Sequence, residues 1–388
     1  MQRVRLGLAF NLRREAKRDG PEDQDAEYDA WSTVSALAEA LSFGNTCQVI
    51  PLPVERDFAS LLERHPVDAV FNMAEGWGGR SRELLAPAVL EMAGVPYTGS
   101  DPVALGLAMD KAIAKAVVQS AGVPTAPSVV VSRLEELEAV APECSYPAFV
   151  KPVAEGSSKG VRVESRVDTP EQLARQVERV LRVYRQPALV EAFLPGREFS
   201  VGILGNDRLR CLPVLEVRPL VPPDDPGRFI YCYHTKSRNL EAFLCPAPID
   251  RALEARLVAL TQTVFRALSL RDVARVDFRL DSAGQPRFLE VNPLPGLSAA
   301  SLLTAQGAAA GLDLPHLVAS IVAAAASRWV QEPGLGGDRL ARLMALRQVA
   351  SEMAAAPVPR LHDEAAAPGA IAASGHGTPT RSQAPVQG

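Results

Sequence analysis

The stretch RVDFRLDSAGQPRFLEVNPLPG, residues 275–296, decides the fold and has the pattern of a β-hairpin. Two short runs of alternating apolar residues flank DSAG, whose Asp, Ser and Gly residues favour a tight turn. If residues 282–285 form a four-residue loop, Asp281 pairs with Pro286, and the register of the two strands follows from that pair. Because strand side chains alternate between faces, the hairpin is expected to have one polar and one apolar face.

The polar face of this hairpin brings two carboxylates together. In the expected register Asp277 lies opposite Glu290, and Arg275 lies opposite Asn292. The apolar face is formed by Val276, Phe278 and Leu280 against Leu289 and Val291. Opposed carboxylates, with Cβ atoms about 5 Å apart, repel each other. Two interpretations remain open at this point: a divalent cation bound by hard oxygen ligands, or a solvated face whose carboxylates pair with Arg275 and Arg279.

The composition is that of a globular protein with two or three domains. The chain has 388 residues, of which 47% are hydrophobic and 22% charged. Its net charge of −4 gives no basic surface for nucleic acid or anionic membranes, and no run approaches the roughly 20 apolar residues of a membrane span. Five scattered cysteines without a C-x-x-C pair indicate reduced thiols. We therefore expect a cytoplasmic protein with neither nucleic-acid nor membrane partners.

Four regions follow one another along the chain. Residues 1–107 alternate strand and helix patterns, which predicts an open parallel sheet. Residues 108–188 combine helices and strands with the loop EGSSKGV, and residues 189–332 contain two strands joined through Pro195-Gly196, a Pro-rich mobile loop, a periodic helix and the hairpin. Residues 333–388 are rich in Ala, Pro, Gly and Ser, and are expected to be largely disordered apart from one amphipathic helix. The fold class is α/β (α+β).

Five separated segments together carry a family resemblance. They are YTGSDPVALGLAMDK, VKPVAEGSSKGV, LVEAFLPGREFSV, YHTKS and RVDFRLD…FLEVNPLPGLSAASL. In order and spacing they closely resemble the D-alanine–D-alanine ligases of the ATP-grasp superfamily, from about Val67 to Leu317. The resemblance implies a Rossmann-like N-terminal pre-ATP-grasp domain, a central lid domain and a C-terminal catalytic domain. It also implies a homodimer.

For the nucleotide, the resemblance implies three groups of residues. Lys111 and Lys151 would contact ATP phosphates. A phosphate-covering loop would be formed by Glu155, Gly156, Ser157 and Ser158. The adenine pocket and the ribose site would be formed by Glu191, Phe193 and Leu194, and by Glu198, respectively.

For the reaction centre, the resemblance implies two Mg²⁺ ions, with Mn²⁺ as an alternative, bound by Asp277, Glu290 and Asn292. Three groups would act on the reacting atoms: Arg275 and the Gly296 backbone stabilise an oxyanion, and Lys236 closes over the γ-phosphate. Ser301 and Leu302 would contact the acceptor carboxylate. ATP would convert a carboxylate into an acyl phosphate, and an amine would then displace phosphate to form an amide.

The donor-binding positions depart from the family. The family's glycine–serine–glutamate signature after the first strand is absent, and Glu27 is our candidate replacement. Glu75 stands where the family has a histidine, and Ser237 where a tyrosine follows the lysine of the closing loop. These departures favour a ligase with an amino-acid acceptor and a non-standard donor. A divergent cell-wall D-alanine–D-alanine ligase is the alternative, and a non-catalytic ATP-binding relative is a remote one.

Overall fold

The computed structural model describes residues 3–14, 20–221, 229–331, 335–358 and 371–372. Within these residues no single helix is both long and apolar enough to cross a bilayer. Two helices, Leu302–Ala309 and Leu314–Trp329, pass that test only as a pair, and they are bent by 100° relative to each other.

The N-terminal region contains the expected open parallel sheet. Its strands are β1 (Val4–Phe10), β2 (Cys47–Pro53) and β3 (Ala69–Asn72), in the order β2-β1-β3. Its helices are α1 (Trp31–Ala40), α2 (Phe58–Arg64) and α3 (Leu85–Met92). Helix α1 begins at Trp31, and Glu27 lies in the turn segment that precedes it.

The central region is built on an antiparallel sheet. Its strands are β4 (Ser128–Val131), β5 (Ala148–Pro152), β6 (Arg166–Val167) and β7 (Ala188–Ala192), in the order β4-β7-β5-β6. It carries α6 (Leu137–Glu143) and α7 (Pro170–Arg179), which continues as a π-helical turn to Tyr184. The hydroxyl of Thr169 accepts a hydrogen bond from the Gln172 amide, as an N-cap should. Because β7 pairs with β4 and β5, this strand lies with the central sheet, beyond the expected boundary at residue 188.

The C-terminal sheet forms the floor of the site. Its strands are β8 (Glu198–Leu204), β9 (Arg210–Cys211), β10 (Leu215–Pro219), β11 (Glu241–Leu244), β12 (Val273–Leu280), β13 (Pro286–Asn292) and β14 (Ile371–Ala372). The order is β13-β12-β8-β10-β11-β14, with β9 beside β8. Its helices are α4 (Pro102–Met109), α5 (Lys111–Ser120), α8 (Tyr233–Ser237), α9 (Arg251–Ala267), α10 (Leu302–Ala309) and α11 (Leu314–Trp329). The two strands around Pro195-Gly196 thus belong to different sheets, and the link between them connects the central and C-terminal regions.

The hairpin reaches the expected register in an unexpected way. The loop has five residues rather than four, since the Asp281 amide donates to the Gln285 carbonyl and Leu280 pairs with Pro286. A β-bulge between Asp277 and Phe278 then shifts the register by one residue, so that Asp277 still faces Glu290. The predicted apolar face is wrong at one position because of the bulge. Phe288 is fully buried on that face, whereas Leu289 lines the cavity on the polar face.

The one amphipathic helix expected beyond residue 333 is present. Residues Gly337–Ala355 form helix α12, which packs on α11 and the N-terminal sheet. Leu343, Leu346 and Ala350 are fully buried in that core. Burial of this apolar stripe is enough to order the helix, although its flanks at 359–370 and 373–388 lie outside the described residues.

Truncation of a buried side chain in α12 should therefore destabilise the N-terminal region. Leu346→Ala is expected to lower the free energy of unfolding by about 2–5 kcal/mol, because it leaves a cavity where the leucine has no exposed surface. Met344→Ala in the same helix is the control, since that side chain is 49% exposed. Urea unfolding would measure both, and equal stabilities would contradict the packing role of α12.

Candidate active site

A deep cavity lies between the central and C-terminal sheets and contains about 920 Å³ of empty space, its open mouth included. Thirteen of the expected site residues line it: Lys111, Lys151, Glu155, Ser158, Glu191, Phe193, Leu194, Glu198, Lys236, Arg275, Asp277, Glu290 and Leu302. Gly156, Ser157, Asn292, Gly296, Ser301, Glu27 and Glu75 are outside the described lining. A cavity lined by apolar walls and convergent charges suits a nucleotide and small substrates.

The opposed carboxylates of the hairpin are neutralised by cations on either side. Asp277 accepts hydrogen bonds from the Ser200 hydroxyl at 2.7 Å and from Arg275 at 2.8 and 3.0 Å. Glu290 lies 3.3 Å from the Lys111 ammonium. Burial would raise the pKa of Glu290, but the surrounding cations, Lys111 and Lys151 first, hold it at about 2. Of the second interpretation, the pair between Arg275 and Asp277 is present, whereas Arg279 pairs with Glu198; the metal ion stays a prediction.

These residues also fit a magnesium site. Asp277, Glu290 and Asn292 present two carboxylates and an amide oxygen, the hard ligands that Mg²⁺ prefers. Among the described residues no cluster of three or more Asp, Glu, His or Cys side chains is arranged for a metal. A metal at this hairpin would therefore need further oxygen ligands, and phosphate oxygens of a nucleotide are suited to that.

A buried charge triad lies at the inner wall of the cavity. The Glu191 carboxylate lies between Lys151, at 2.7 Å, and Lys115, and all three side chains are at most 6% exposed. Burial opposes ionisation of Glu191, but the two lysines lower its pKa. The same carboxylate raises the pKa of Lys151 against the effect of burial, so the ammonium stays charged. The Glu191 carboxylate is therefore bound to two lysines, and its expected role in the adenine pocket does not include these contacts.

The backbone of the expected phosphate loop is left-handed at two serines. Ser157 and Ser158 have φ angles of 49° and 61°, in the left-handed region that non-glycine residues rarely occupy. Lys111 donates to the Glu155 carbonyl, and the Ser158 hydroxyl donates to the Tyr231 carbonyl at 3.1 Å. The loop therefore connects the central region to the segment that precedes α8.

The opposite end of the cavity is aromatic. The rings of Phe149 and Phe193 are 6.3 Å apart, and the Arg279 guanidinium lies 5.3 Å from the Phe193 ring centre. Arg279 also pairs with Glu198 at 3.2 Å. Burial raises the pKa of Glu198 despite that pairing. An aromatic base and a ribose fit such an end, where flat rings and a polar carboxylate adjoin.

The remaining reaction-centre residues come from two separate segments. Lys236 lies in α8, with its ammonium 4.6 Å from the Tyr231 ring centre, and burial followed by the nearby Arg275 lowers its pKa. This part of the expected mobile loop is thus helical, while residues 222–228 lie outside the described residues. The Ser301 hydroxyl lies 2.9 Å from that of Ser298, and a Cβ on Gly296 would come within 3.0 Å of it. A side chain at residue 296 would therefore press on the Ser301 hydroxyl.

The two donor candidates lie just behind the phosphate loop. Glu27 is 3% exposed and binds Arg82, Lys159 and the Gly156 amide. Burial would raise its pKa, but the two cations lower it. Glu75 lies near Glu27 in a buried acidic environment, and burial followed by the charge of a neighbouring glutamate raises its pKa.

That neighbouring glutamate, Glu83, should make stability depend on pH. Burial raises its pKa to about 7, so the folded state holds a proton that the unfolded chain loses near pH 4.5. The contribution of Glu83 to folding stability therefore becomes unfavourable as the pH rises from 4.5 to 7, and it remains unfavourable above pH 7. Glu83→Gln should be about 1–3 kcal/mol more stable than the parent at pH 8, and gain little at pH 4. Urea unfolding at both pH values, with exposed Glu63→Gln as control, measures this, and a gain independent of pH would contradict it.

Three charged residues of the site were not among those predicted from the sequence. Lys115 follows Lys111 by four residues on one helix, and Lys159 follows Glu155 by four, so helical or turn spacing could have indicated both. Arg82 has no such local signal, because its partner Glu27 lies 55 residues away.

Comparison with known proteins agrees with the fold. The family model described as D-ala D-ala ligase C-terminus matches residues 117–323. An uncharacterized protein, y4sG, of Sinorhizobium fredii is 37% identical over 273 residues, which are 69% of this chain and 77% of that protein. A D-alanine–D-alanine ligase of Geobacter sulfurreducens is 37% identical over 255 residues, 66% of this chain and 76% of its own.

Solved structures give the same fold. The VanG D-Ala:D-Ser ligase of Enterococcus faecalis superposes with a TM-score of 0.66 at 22% identity, over 84% of this chain and 100% of that chain. The D-alanine–D-alanine ligase of Bacillus anthracis complexed with ATP gives 0.65 at 20% identity, over 84% and 98%. The family match and the fold together define an ATP-grasp enzyme. The chain belongs to the D-alanine–D-alanine ligase family, and it is an ATP-dependent, ADP-forming ligase of C–N bonds.

Proposed function

We propose that this ligase joins a small carboxylic acid to the amino group of an amino acid. The observation that carries the proposal is the cavity in which the opposed Asp277 and Glu290 meet Lys111, Lys151 and Arg275. Carboxylates and lysines converging on one cavity suit a triphosphate with its metal ions, where charge has to be offset from both sides.

In the first step a donor carboxylate oxygen attacks the γ-phosphorus of ATP, and the bond to the β-phosphate oxygen breaks to release ADP. Lys151 and Lys111 offset charge on the phosphates, and Lys236 covers the γ-phosphate from α8. Ser157 and Ser158, with their left-handed backbone, would direct loop amides at the phosphates. Phe193 and Leu194 would hold the adenine, and Glu198 the ribose.

In the second step the acceptor nitrogen attacks the acyl carbon, loses a proton and displaces phosphate. Arg275 and the Gly296 amide would stabilise the oxyanion, while Ser301 and Leu302 would hold the acceptor carboxylate. The contact between Ser158 and Tyr231 would keep water from the acyl phosphate by holding the loop closed.

The proposal includes two Mg²⁺ ions, with Mn²⁺ as an alternative, held by Asp277, Glu290 and Asn292. When bound, they would polarise the transferred phosphoryl group and offset its charge. The ionised state of Glu290 and the hard oxygen ligand set support this assignment. We also propose a homodimer in the cytoplasm, on the strength of the family resemblance, and sedimentation of the full chain would test the dimer.

Two donors compete in this proposal. The names of the relatives, D-alanine–D-alanine ligase among them, favour D-alanine, whereas the departures around Glu27 and Glu75 favour another acid. The test is ADP release with a panel of amino acids and carboxylic acids, D-alanine with D-alanine included. Release above the ATPase background is expected for at least one acid–amine pair, with the amide identified by mass. If no pair stimulates release, the proposed reaction fails.

A further inference from the structure

A buried carboxylate beside the N-terminal sheet has an oxygen without a partner. Glu83 lies in the turn segment between β3 and α3, and the residue is 8% exposed. Its Oε2 atom is buried and accepts no hydrogen bond from the part of the chain that the structure describes. Burial of an uncompensated charge is costly, and it raises the pKa of Glu83 to about 7. A carboxylate that lowers stability and forms no contact of its own is characteristic of a binding site.

A second carboxylate, that of Glu75, lies beside Glu83. The chain reverses at Gly76, which has a φ angle of 72°, and a Cβ at this position would collide with the Arg82 carbonyl. After burial, the charge of Glu83 is the largest cause that raises the pKa of Glu75. Glu75 is half-buried, so this acidic pair of Glu75 and Glu83 is not sealed from solvent.

The cations near the acidic pair are engaged elsewhere. The charged groups that act on the pair are Arg82, Lys111, Glu27, Asp29 and Glu155. The Arg82 guanidinium binds Glu27 and two backbone carbonyls. Lys111 lies beside Glu290, and in the proposed reaction it contacts phosphate. Neither cation is therefore left for the acidic pair, whether or not ATP is bound.

The acidic pair lies where open parallel sheets bind their ligands, at the carboxyl ends of the strands. Glu75 follows β3, and its loop is joined to the loop after β1. The Gly76 amide donates to the Asn11 side chain at 2.8 Å, and the Tyr28 hydroxyl donates to the Gly76 carbonyl at 3.2 Å. The two loops therefore form one edge of the N-terminal sheet, and the acidic pair lies on it.

The acidic pair also adjoins the cavity. Lys111 and Glu155 both act on the charge of Glu83, and both line the cavity. A group bound at Glu83 can therefore belong to a molecule whose reacting atoms lie in the cavity. An ammonium group fits this position, because it supplies the missing positive charge and N–H donors for the unpaired oxygen.

We propose that Glu83, with Glu75 beside it, binds the ammonium group of an amino-acid donor. This inference rests on the proposed ligase function and names the residue that selects its donor. The cation belongs to the donor, because the acceptor amine must be uncharged to attack the acyl carbon. Glu27 instead holds the phosphate loop through the Gly156 amide. Donor recognition thus lies in the loop after β3 rather than in the loop after β1.

Trapping with hydroxylamine tests the donor separately from the acceptor. The hydroxylamine nitrogen attacks the acyl phosphate, loses a proton and displaces phosphate, so the hydroxamate reports which acid was activated. Each amino acid is compared with the 2-hydroxy acid and the unsubstituted acid of the same skeleton, for example D-alanine with D-lactate and propionate. For the best amino acid we expect kcat/KM at least about tenfold higher than for its matched acids.

Glu83→Gln should remove this preference. The KM for the amino acid should rise by about tenfold or more, while the KM values for the matched acids and for ATP stay unchanged. The variant is expected to fold, because it removes a buried charge that has no partner. Glu63→Gln, on an exposed position of α2, is the control for loss of a carboxylate from the same region.

Donor affinity gives a readout that needs no turnover. Glu83 is mostly protonated at pH 6 and mostly ionised at pH 8, so the unmodified chain should bind the amino acid about tenfold more tightly at pH 8. The matched 2-hydroxy acid has no ammonium and should show no such gain. Glu83→Gln should show none with the amino acid either. Calorimetry in the presence of ADP measures all three.

Each outcome decides the inference. Equal or slower trapping of the amino acids would overturn the ammonium site while leaving the ligase function in place. A preference that persists in Glu83→Gln, or an amino-acid affinity of the unmodified chain that does not rise with pH, would overturn the role of Glu83. Hydroxamate from no acid, together with no ADP release from any acid–amine pair, would overturn the proposed function and the inference with it.

Discussion

Glu290→Gln should lower ADP formation by about three orders of magnitude, and Asp277→Asn should do the same. Each change removes one negative charge from the opposed pair while keeping the side-chain shape. Glu290 is held ionised by the surrounding lysines, so the amide would remove a charge that is present at neutral pH. The measurement is ADP release with the best acid–amine pair from the panel.

Asp281→Asn in the same hairpin is the matched control for this prediction. Its side-chain oxygen would still accept from the Ala283 and Gln285 amides, so the turn should persist and turnover should be normal. Thermal unfolding of all three variants would verify folding. Near-normal turnover in Glu290→Gln or Asp277→Asn contradicts the metal assignment.

Glu191→Gln should destabilise the central region by about 3–5 kcal/mol. The carboxylate is shared by Lys115 and Lys151, and its loss leaves two buried ammonium groups without their anion. ATP binding should weaken as well, because Lys151 depends on Glu191 for its charged state. Urea unfolding measures the stability, and calorimetry measures nucleotide binding.

A second substitution separates charge from packing in this triad. Lys115→Met in the Glu191→Gln background removes one of the two unpaired cations, so the double variant should recover part of the lost stability. Partly exposed Glu136→Gln serves as the control for removal of a glutamate charge near a cation. If the double variant is less stable than Glu191→Gln alone, unpaired charge is not the cause of the destabilisation.

Much of the fold could be predicted because it depends on local sequence patterns. The parallel sheet of the N-terminal region and the polar face of the hairpin both follow from spacing within a few residues. The five-residue loop and the bulge could not be predicted, since each shifts the register by one and the two shifts cancel at Asp277. The sequence predicted the correct pair from an incorrect loop.

Helix α12 shows what a local pattern leaves open. The sequence after residue 333 predicts one amphipathic helix, but it does not indicate the surface on which the apolar face of that helix packs. Its leucines become core residues only because α11 and the N-terminal sheet provide an apolar surface for them. Burial against distant segments is a property of the packed chain, so a local pattern does not contain it.

The sequence by itself determined the family, the order of the motifs and the residue types that converge on the cavity. Only the tertiary structure decided how their charges pair. Glu27 accepts hydrogen bonds from the Gly156 amide, 129 positions away in the chain, and from Arg82, 55 positions away. Those contacts occupy a carboxylate that the sequence had made a candidate for donor binding. The physical reason is range: periodicity acts over a few residues, whereas ion pairing depends on which surfaces packing brings within about 4 Å.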